Sequence, residues 1–217
     1  MSENSFCVLL MPHLLSGLIL RLAVCFLLGS IPFAVISMAG SGLDIRQVGS
    51  GNPGFNNVLR VSKWRAVLTL VGDMGKGVLA VWLALEAWPL PGLGAARMPL
   101  GWLFGFAAIL GHCYSPFLKF NGGKGVATSG GVMLVLYPPW AVVALAYFVV
   151  VRIALGKLHW REAGATTSIT TWVLFTLLMF FAVGRMDGAY AALMTLFLAW
   201  RHKKNFLNLF TPTPEKT

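Results

Sequence analysis

The sequence predicts an all-α polytopic membrane protein. It reads as about seven transmembrane helices with a short or re-entrant fourth, the N-terminus outside and the C-terminus cytoplasmic. Three observations predict this. Of 217 residues, 57% are apolar and only 11% are charged, against about 25% charged in an ordinary soluble domain. The apolar residues gather in runs near the roughly 20 that a span needs. Most of the basic residues fall on one side of those runs. A soluble globule cannot cover so much apolar surface, and a disordered chain is poor in aromatic and β-branched residues. Cys7, Cys25 and Cys113 form neither a metal-ligand spacing nor a disulfide framework. Residues 1–217 therefore read as one integral-membrane domain, with 206–217 as a cytoplasmic tail.

The first segment covers 14–38. Glu3 is the only charge before Arg21, so the N-terminus lacks the basic cluster of a signal peptide and reads as a retained helix. Arg21 is expected to snorkel to the interface. The next segments are 66–88 and 99–118. Segment 126–137 is apolar but short, since about twelve helical residues reach only about 18 Å. Pro138-Pro139 punctuates it, and 140–155, 168–184 and 188–200 follow.

Orientation follows the excess of Lys and Arg on the inner face. With the N-terminus outside, the inner connections carry Arg46, Arg60, Lys63, Arg65, Lys119, Lys124, Arg152, Lys157 and Arg161. The tail adds Arg201, Lys203, Lys204 and Lys216, making thirteen of the 17 basic residues. The formal charge of +10 is thus concentrated on one face. Anionic headgroups account for part of that bias. The same connections also hold the least ordinary stretches of the chain.

The first stretch is Gly49-Ser50-Gly51-Asn52-Pro53-Gly54-Phe55-Asn56-Asn57-Val58-Leu59-Arg60. Its three glycines spell G-x-G-x-x-G, but that dinucleotide fingerprint works only between a strand and a helix of a βαβ unit. The physical content survives: glycines let a backbone approach an anion, and successive N–H groups form a nest. Ser50, Asn52, Asn56 and Asn57 add hydrogen bonds, and Arg60 adds a permanent forked charge. The second stretch runs from Lys119 to Thr128 through Gly122-Gly123-Lys124-Gly125. It is not a Walker A motif, which needs Gly five positions before its Gly-Lys pair and then Ser or Thr. Small residues exposing N–H donors, two lysines and a helix starting at Val126 still suit a phosphate. The third is Arg201-His202-Lys203-Lys204-Asn205, which alone would read as a juxtamembrane basic cluster.

Asp73 and Lys76, three apart, share a helix face. Each would cost about 2.5–3.5 kcal/mol unpaired at the bilayer centre, so they read as a structural ion pair. Asp73 orienting a basic residue of the first stretch is the alternative. Gly101 and Gly105 read as helix packing, and His112 as a satisfied interhelical histidine. No Ser-His-acid or Cys-His pattern supplies a nucleophile.

Taken together, the three stretches resemble the bacterial acyl-phosphate:glycerol-3-phosphate acyltransferases of the PlsY type, over about residues 29–205. Gly29-Ser30-Ile31-Pro32, Asp44-Ile45-Arg46 and the Gly49–Arg60 stretch match the family's opening and first motif. Gly111-His112 and the 117–128 stretch match its second motif, and His202 and Asn205 its third. The chain departs at Phe55 and Asn56, at Ser115, Asn121 and Lys203, and at the tail ending Pro212-Thr213-Pro214-Glu215.

The resemblance implies acyl transfer from acyl phosphate to the 1-hydroxyl of glycerol 3-phosphate, giving lysophosphatidic acid and phosphate, an early step of phospholipid biosynthesis. It implies no coenzyme A, no cofactor, no metal and no nucleic acid. It also implies a site on the cytoplasmic face of the bacterial inner membrane, and leaves room for coupling to an acyl-phosphate-forming enzyme. Ser50, Arg60, His202 and Asn205 fall at catalytic positions. Gly49, Gly51, Asn52, Asn57, Lys119, Gly122, Gly123, Lys124, Gly125 and Thr128 fall at substrate-binding ones. His202 either polarises a phosphate or accepts the acceptor's proton, unless a donor phosphate oxygen is the base. Two other readings stand beside this one: a transporter for a phosphate-bearing solute, and a degenerate lipid-binding homologue.

Overall fold

The computed structural model describes residues 3–87 and 96–211, with side chains from residue 14. Cys7 and His13 as side chains, Trp88, and the tail from 212 with Glu215 and Lys216 lie outside the described residues. The regular structure of the described chain is all helical, and the described residues of the apolar segments fall mostly in helices. Four stretches are long and apolar enough to cross a membrane by length and composition: Leu14–Met38, Lys63–Ala87, Pro138–Lys157 and Ala163–Val183. The chain forms two compact units, residues 1–136 and 137–217.

The first unit contains α1 (Glu3–Ser30), α2 (Phe33–Met38), α3 (Phe55–Val58), α4 (Lys63–Trp82), α5 (Arg97–Cys113) and α6 (Val126–Leu136). A π-helical turn, Leu83–Ala87, prolongs α4, and a 3-10 turn, Pro116–Leu118, follows α5. The first apolar segment is helix with a break. Pro32 has no N–H to donate, so α1 stops at Ser30 and α2 starts at Phe33. The break leaves carbonyls without helical partners. Ser115 Oγ donates to Ser30 O at 2.6 Å, and Lys76 Nζ donates to Ile31 O at 2.7 Å.

Glycines bring the helix backbones together. A Cβ on Gly29 would meet the Ala108 carbonyl, and one on Gly111 would meet Phe26 O, which joins α1 to α5. Gly77 packs against Thr128 O and Gly131 against Met74 O, which joins α4 to α6. Gly101 and Gly105 lie against Leu136 and Val132 of α6, the packing role that small residues serve in lipid. Arg21 is 3% exposed, with its Nη1 donating to Gly17 O one turn back along α1 at 2.9 Å.

The second unit contains α7 (Pro138–Lys157), α8 (Ala163–Leu178) with its π-helical end Met179–Val183, α9 (Arg185–Arg201) and α10 (Lys203–Phe210). Pro138-Pro139 opens α7, since the first turn needs no N–H there. Along α8 the hydroxyls of Thr167, Ser168, Thr170, Thr171 and Thr176 donate to carbonyls one turn back. A polar sequence thereby satisfies itself inside an apolar helix. Trp172 and Phe175 form its aromatic core, and the Tyr137 hydroxyl bonds Asp187.

Candidate active site

The chain between α2 and α4 is organised by one buried amide. Asn57 is 1% exposed. Its Nδ2 donates to Ile45 O and Val48 O, both at 2.9 Å, and its Oδ1 accepts the Ser50 N–H at 3.0 Å. Both donors and an acceptor are thus spent on the loop's own backbone. Gly49 and Gly51 hold the turn at φ +60° and +66°, a region costly for a residue with a Cβ. Beneath it, Ala34, Met38, Ile45, Val58 and Ala66 form an apolar cluster that pins the loop to α2 and α4.

This arrangement leaves Ser50 and Arg60 outward. Asn52 N–H points to Ser50 Oγ at 3.4 Å, so the serine hydroxyl proton remains available for donation. Arg60 lies across the turn, its Nη1 3.6 Å from where a Gly49 Cβ would stand. Arg46 is different. It binds Asp44 at 2.7 Å, and its hydrogen bonds hold the Asp44 carboxyl down at about 2. Among the described residues Arg60 forms no ion pair.

The connection from α5 to α6 corrects one expectation. Gly122 N–H donates to Cys113 O and Gly123 N–H to His112 O, both at 3.1 Å. These donors are spent on the C-terminal carbonyls of α5, which lack helical partners, and do not form an open cradle. Glycine is required here because of close approach. A Cβ on Gly122 would meet His112 O, and one on Gly123 would meet the His112 ring and lie 2.9 Å from Pro53 O. Pro53 belongs to the first loop, so the two motifs touch at Gly123.

Just before the glycines, Lys119 and Phe120 take positive φ, 51° and 62°. Phe120 N–H donates to Ser115 O, and Asn121 Nδ2 to Lys119 O, which keeps Lys119 exposed. After them, Gly125 turns at φ 89° into α6. The first-turn N–H groups of Val126, Ala127 and Thr128 stand at the positive end of that helix. Thr128 is fully buried, and its Oγ1 has no hydrogen-bond partner among the described residues.

Under both loops lies a buried charged group. Asp73 and Lys76 are within 2.8 Å, and His112 Nδ1 is 3.4 Å from the same Asp73 oxygen. None of the three is more than 7% exposed. They line a small cavity with Ser30, Pro53, Ser115 and Gly123. Asp73 therefore faces Lys76 and His112 rather than a basic residue of the first loop.

In the second unit, His202 is buried, with Nδ1 2.8 Å from Leu198 O. A carbonyl only accepts, so Nδ1 carries the hydrogen. Asn205 Nδ2 donates to Glu162 Oε2 at 2.7 Å, and Asn208 Nδ2 to Glu162 Oε1 at 2.9 Å. Glu162 is a residue that the sequence reading missed. Its signal was present, as the only acid in a connector otherwise carrying Lys157 and Arg161. The hydrogen bond from Ser115 Oγ to Ser30 O was also missed, since neither stretch marks the other as its partner.

A family profile described as glycerol-3-phosphate acyltransferase matches residues 19–212. A glycerol-3-phosphate acyltransferase of Laribacter hongkongensis is 40% identical over 205 residues, covering 91% of this chain and 95% of the relative. One of Pseudomonas paraeruginosa is 38% identical over 191 residues, covering 86% and 93%. Among solved structures, PlsY (YgiH), an integral membrane glycerol 3-phosphate acyltransferase, matches in its glycerol 3-phosphate form. The TM-score is 0.74 at 31% identity, covering 88% of this chain and 91% of that one. On these grounds the chain belongs to the glycerol-3-phosphate acyltransferase family.

Proposed function

We propose that this protein transfers an acyl group from acyl phosphate to the 1-hydroxyl of glycerol 3-phosphate. The acyl carbon's bond to the phosphate oxygen breaks, its bond to the glycerol oxygen forms, and the hydroxyl proton leaves to a base. The products are lysophosphatidic acid and phosphate. The mixed anhydride is already activated, so no enzyme nucleophile is needed. What the reaction needs is charge neutralisation and directed hydrogen bonds.

The observation that carries this reading is the contact of the two family motifs at Gly123, with Ser50 and Arg60 turned outward by a buried Asn57. In this reading Ser50 and Arg60 meet phosphate or the developing oxyanion. Lys119, Lys124 and the start of α6 receive the glycerol 3-phosphate phosphate. Asn52, Asn57 and the glycines shape the loops around them. His202 and Asn205 keep the roles that the third family motif implies, at a hydroxyl or phosphate. Seven crossings, a cytoplasmic site and an inner-membrane location complete the proposal.

The test is an acylation assay on purified protein with labelled glycerol 3-phosphate, palmitoyl phosphate in one tube and palmitoyl-coenzyme A in another. Lysophosphatidic acid from the phosphate donor alone, lost in Arg60→Ala, is the expected result. Product from the coenzyme A donor alone would overturn the donor assignment. Cysteine labelling of position 137 from outside, with position 203 reactive only from inside, checks the orientation.

A further inference from the structure

We propose that His112 is a positioning residue: its ring is a wedge that sets the distance between the Gly123 loop and the first loop. This rests on the reading that the Gly123 loop receives the acceptor's phosphate. The ring occupies the space where a Gly123 Cβ would stand, with Cε1 2.9 Å from that point and Nε2 closer. The Pro53 carbonyl lies 2.9 Å from the same point. The ring edge and the Pro53 carbonyl therefore converge on the space beside Gly123, where the two loops meet. The histidine's own carbonyl accepts the Gly123 N–H at 3.1 Å, so main chain and ring hold the loop together.

The wedge is itself anchored. Its Nδ1 edge is 3.4 Å from Asp73, which Lys76 holds at 2.8 Å, and Lys76 binds Ile31 O at the Pro32 break at 2.7 Å. Ring height is thus fixed from α4 and from the break after α1, both away from the loop. An apolar ring would fill the same volume but would have nothing to fix its height against Asp73. The ion pair gains a purpose in this way: it indexes the loop that carries Lys119 and Lys124 to the loop that carries Ser50 and Arg60.

The test is a double-mutant cycle of Gly123→Ala and His112→Asn. Asparagine keeps an N–H toward Asp73 and vacates the far edge of the ring. Gly123→Ala alone should raise KM for glycerol 3-phosphate about tenfold, the scale of an overpacking cost read as lost affinity. KM for palmitoyl phosphate should stay within about twofold, because the acceptor loop alone is displaced. His112→Asn alone should raise the acceptor KM about threefold through lost packing. In the double variant the methyl enters the space the ring vacated and only its approach to the Pro53 carbonyl remains, so KM should fall most of the way back toward that of His112→Asn, a coupling neighbours in contact show.

Effects that simply multiply would overturn the wedge, as would coupling seen in unfolding temperature but not in KM. Should Gly123→Ala fail to accumulate folded, its restoration by His112→Asn with a low KM supports the proposal, and its non-restoration overturns it. Wild-type protein inactive with both donors defeats the functional reading, and this role with it. Active wild-type protein with a multiplicative cycle defeats the positioning role alone.

Discussion

Replacing Asn57 by Asp keeps the shape of the side chain and removes only its two N–H donors. The loss falls on two defined acceptors, Ile45 O and Val48 O, each 2.9 Å from Nδ2. Leaving a buried polar group unpaired costs about 1–3 kcal/mol, so the two together come to about 2–6 kcal/mol. A carboxylate oxygen facing two carbonyl oxygens adds repulsion. The bond to Ser50 N–H survives through Oδ1, so the damage is local to the turn that presents Ser50 and Arg60. Acyl transfer should fall about 100-fold, a loss of about 2.7 kcal/mol, near the low end of that range. Trypsin should cut at Arg46 and Arg60 correspondingly faster, because both arginines are exposed on a loop that has lost its tie. Activity of the Asn57→Asp variant should recover partly as pH falls, since the introduced carboxyl, once protonated, donates one hydrogen bond again. Transfer within about twofold of wild type, with unchanged trypsin cleavage, would refute the organising role of Asn57.

Three other outcomes are expected. Lys76→Met leaves Asp73 buried beside His112 with its nearest cation removed, and should lower stability by about 3–5 kcal/mol; adding Asp73→Leu should restore much of it, read as unfolding temperature in detergent. The Asp44 carboxyl, held at about 2 by Arg46 hydrogen bonds, is depressed, so its pairing is fully present above the ordinary carboxylate range and is lost as pH falls toward 2; carbon NMR of labelled protein should find it still ionised at about pH 3.5, just under the ordinary aspartate value. If His202 accepts the acceptor's proton, His202→Gln should lower turnover by about 10²–10⁴-fold and remove the acid limb of the pH profile; near-normal turnover with an unchanged profile would leave it without that role.

The helices were legible because membrane composition is blunt: the described residues of the apolar runs are mostly helix, and the Gly-rich connections stayed connections apart from the one-turn α3, Phe55–Val58. Helix ends were less so. Segment one breaks at Pro32 instead of running through, because lysine and serine side chains from elsewhere satisfy the freed carbonyls. Pro138-Pro139 reads as punctuation in sequence, and it is also the first turn of α7. The α10 helix was not foreseen, since its eight residues are amphipathic rather than apolar and lie outside the apolar runs that mark the other helices. In the site, residue identity was legible from the motifs, but the direction of the hydrogen bonds was not. Gly122 and Gly123 suggest free N–H donors, whereas tertiary contact with the end of α5 spends them. Asn57 suggests a ligand contact, whereas a buried turn uses its amide three times. His112 carries no local mark of its proximity to Gly123, because the contact is set by how α5 ends.

The charges around the first unit's loops follow a division that net charge conceals. Two phosphate-bearing substrates would bring about −1.5 to −2 each, so the site needs cations not already neutralised. Lys76 is buried against Asp73, and Arg46 is clasped by Asp44. Arg60 and Lys119, by contrast, stand exposed, and neither enters an ion pair among the described residues. The paired cations shape the loops, and the unpaired ones remain to meet an anion. Removing charge at Arg60 or Lys119 should therefore flatten the salt dependence of substrate binding, since exposed charges are the ones salt screens. Removing it at Lys76 should act on folding and leave that slope alone. A protein that used its positive face only to sit on anionic lipid would have no cause to pair one set of cations and spare the other at the point where its two glycine loops meet.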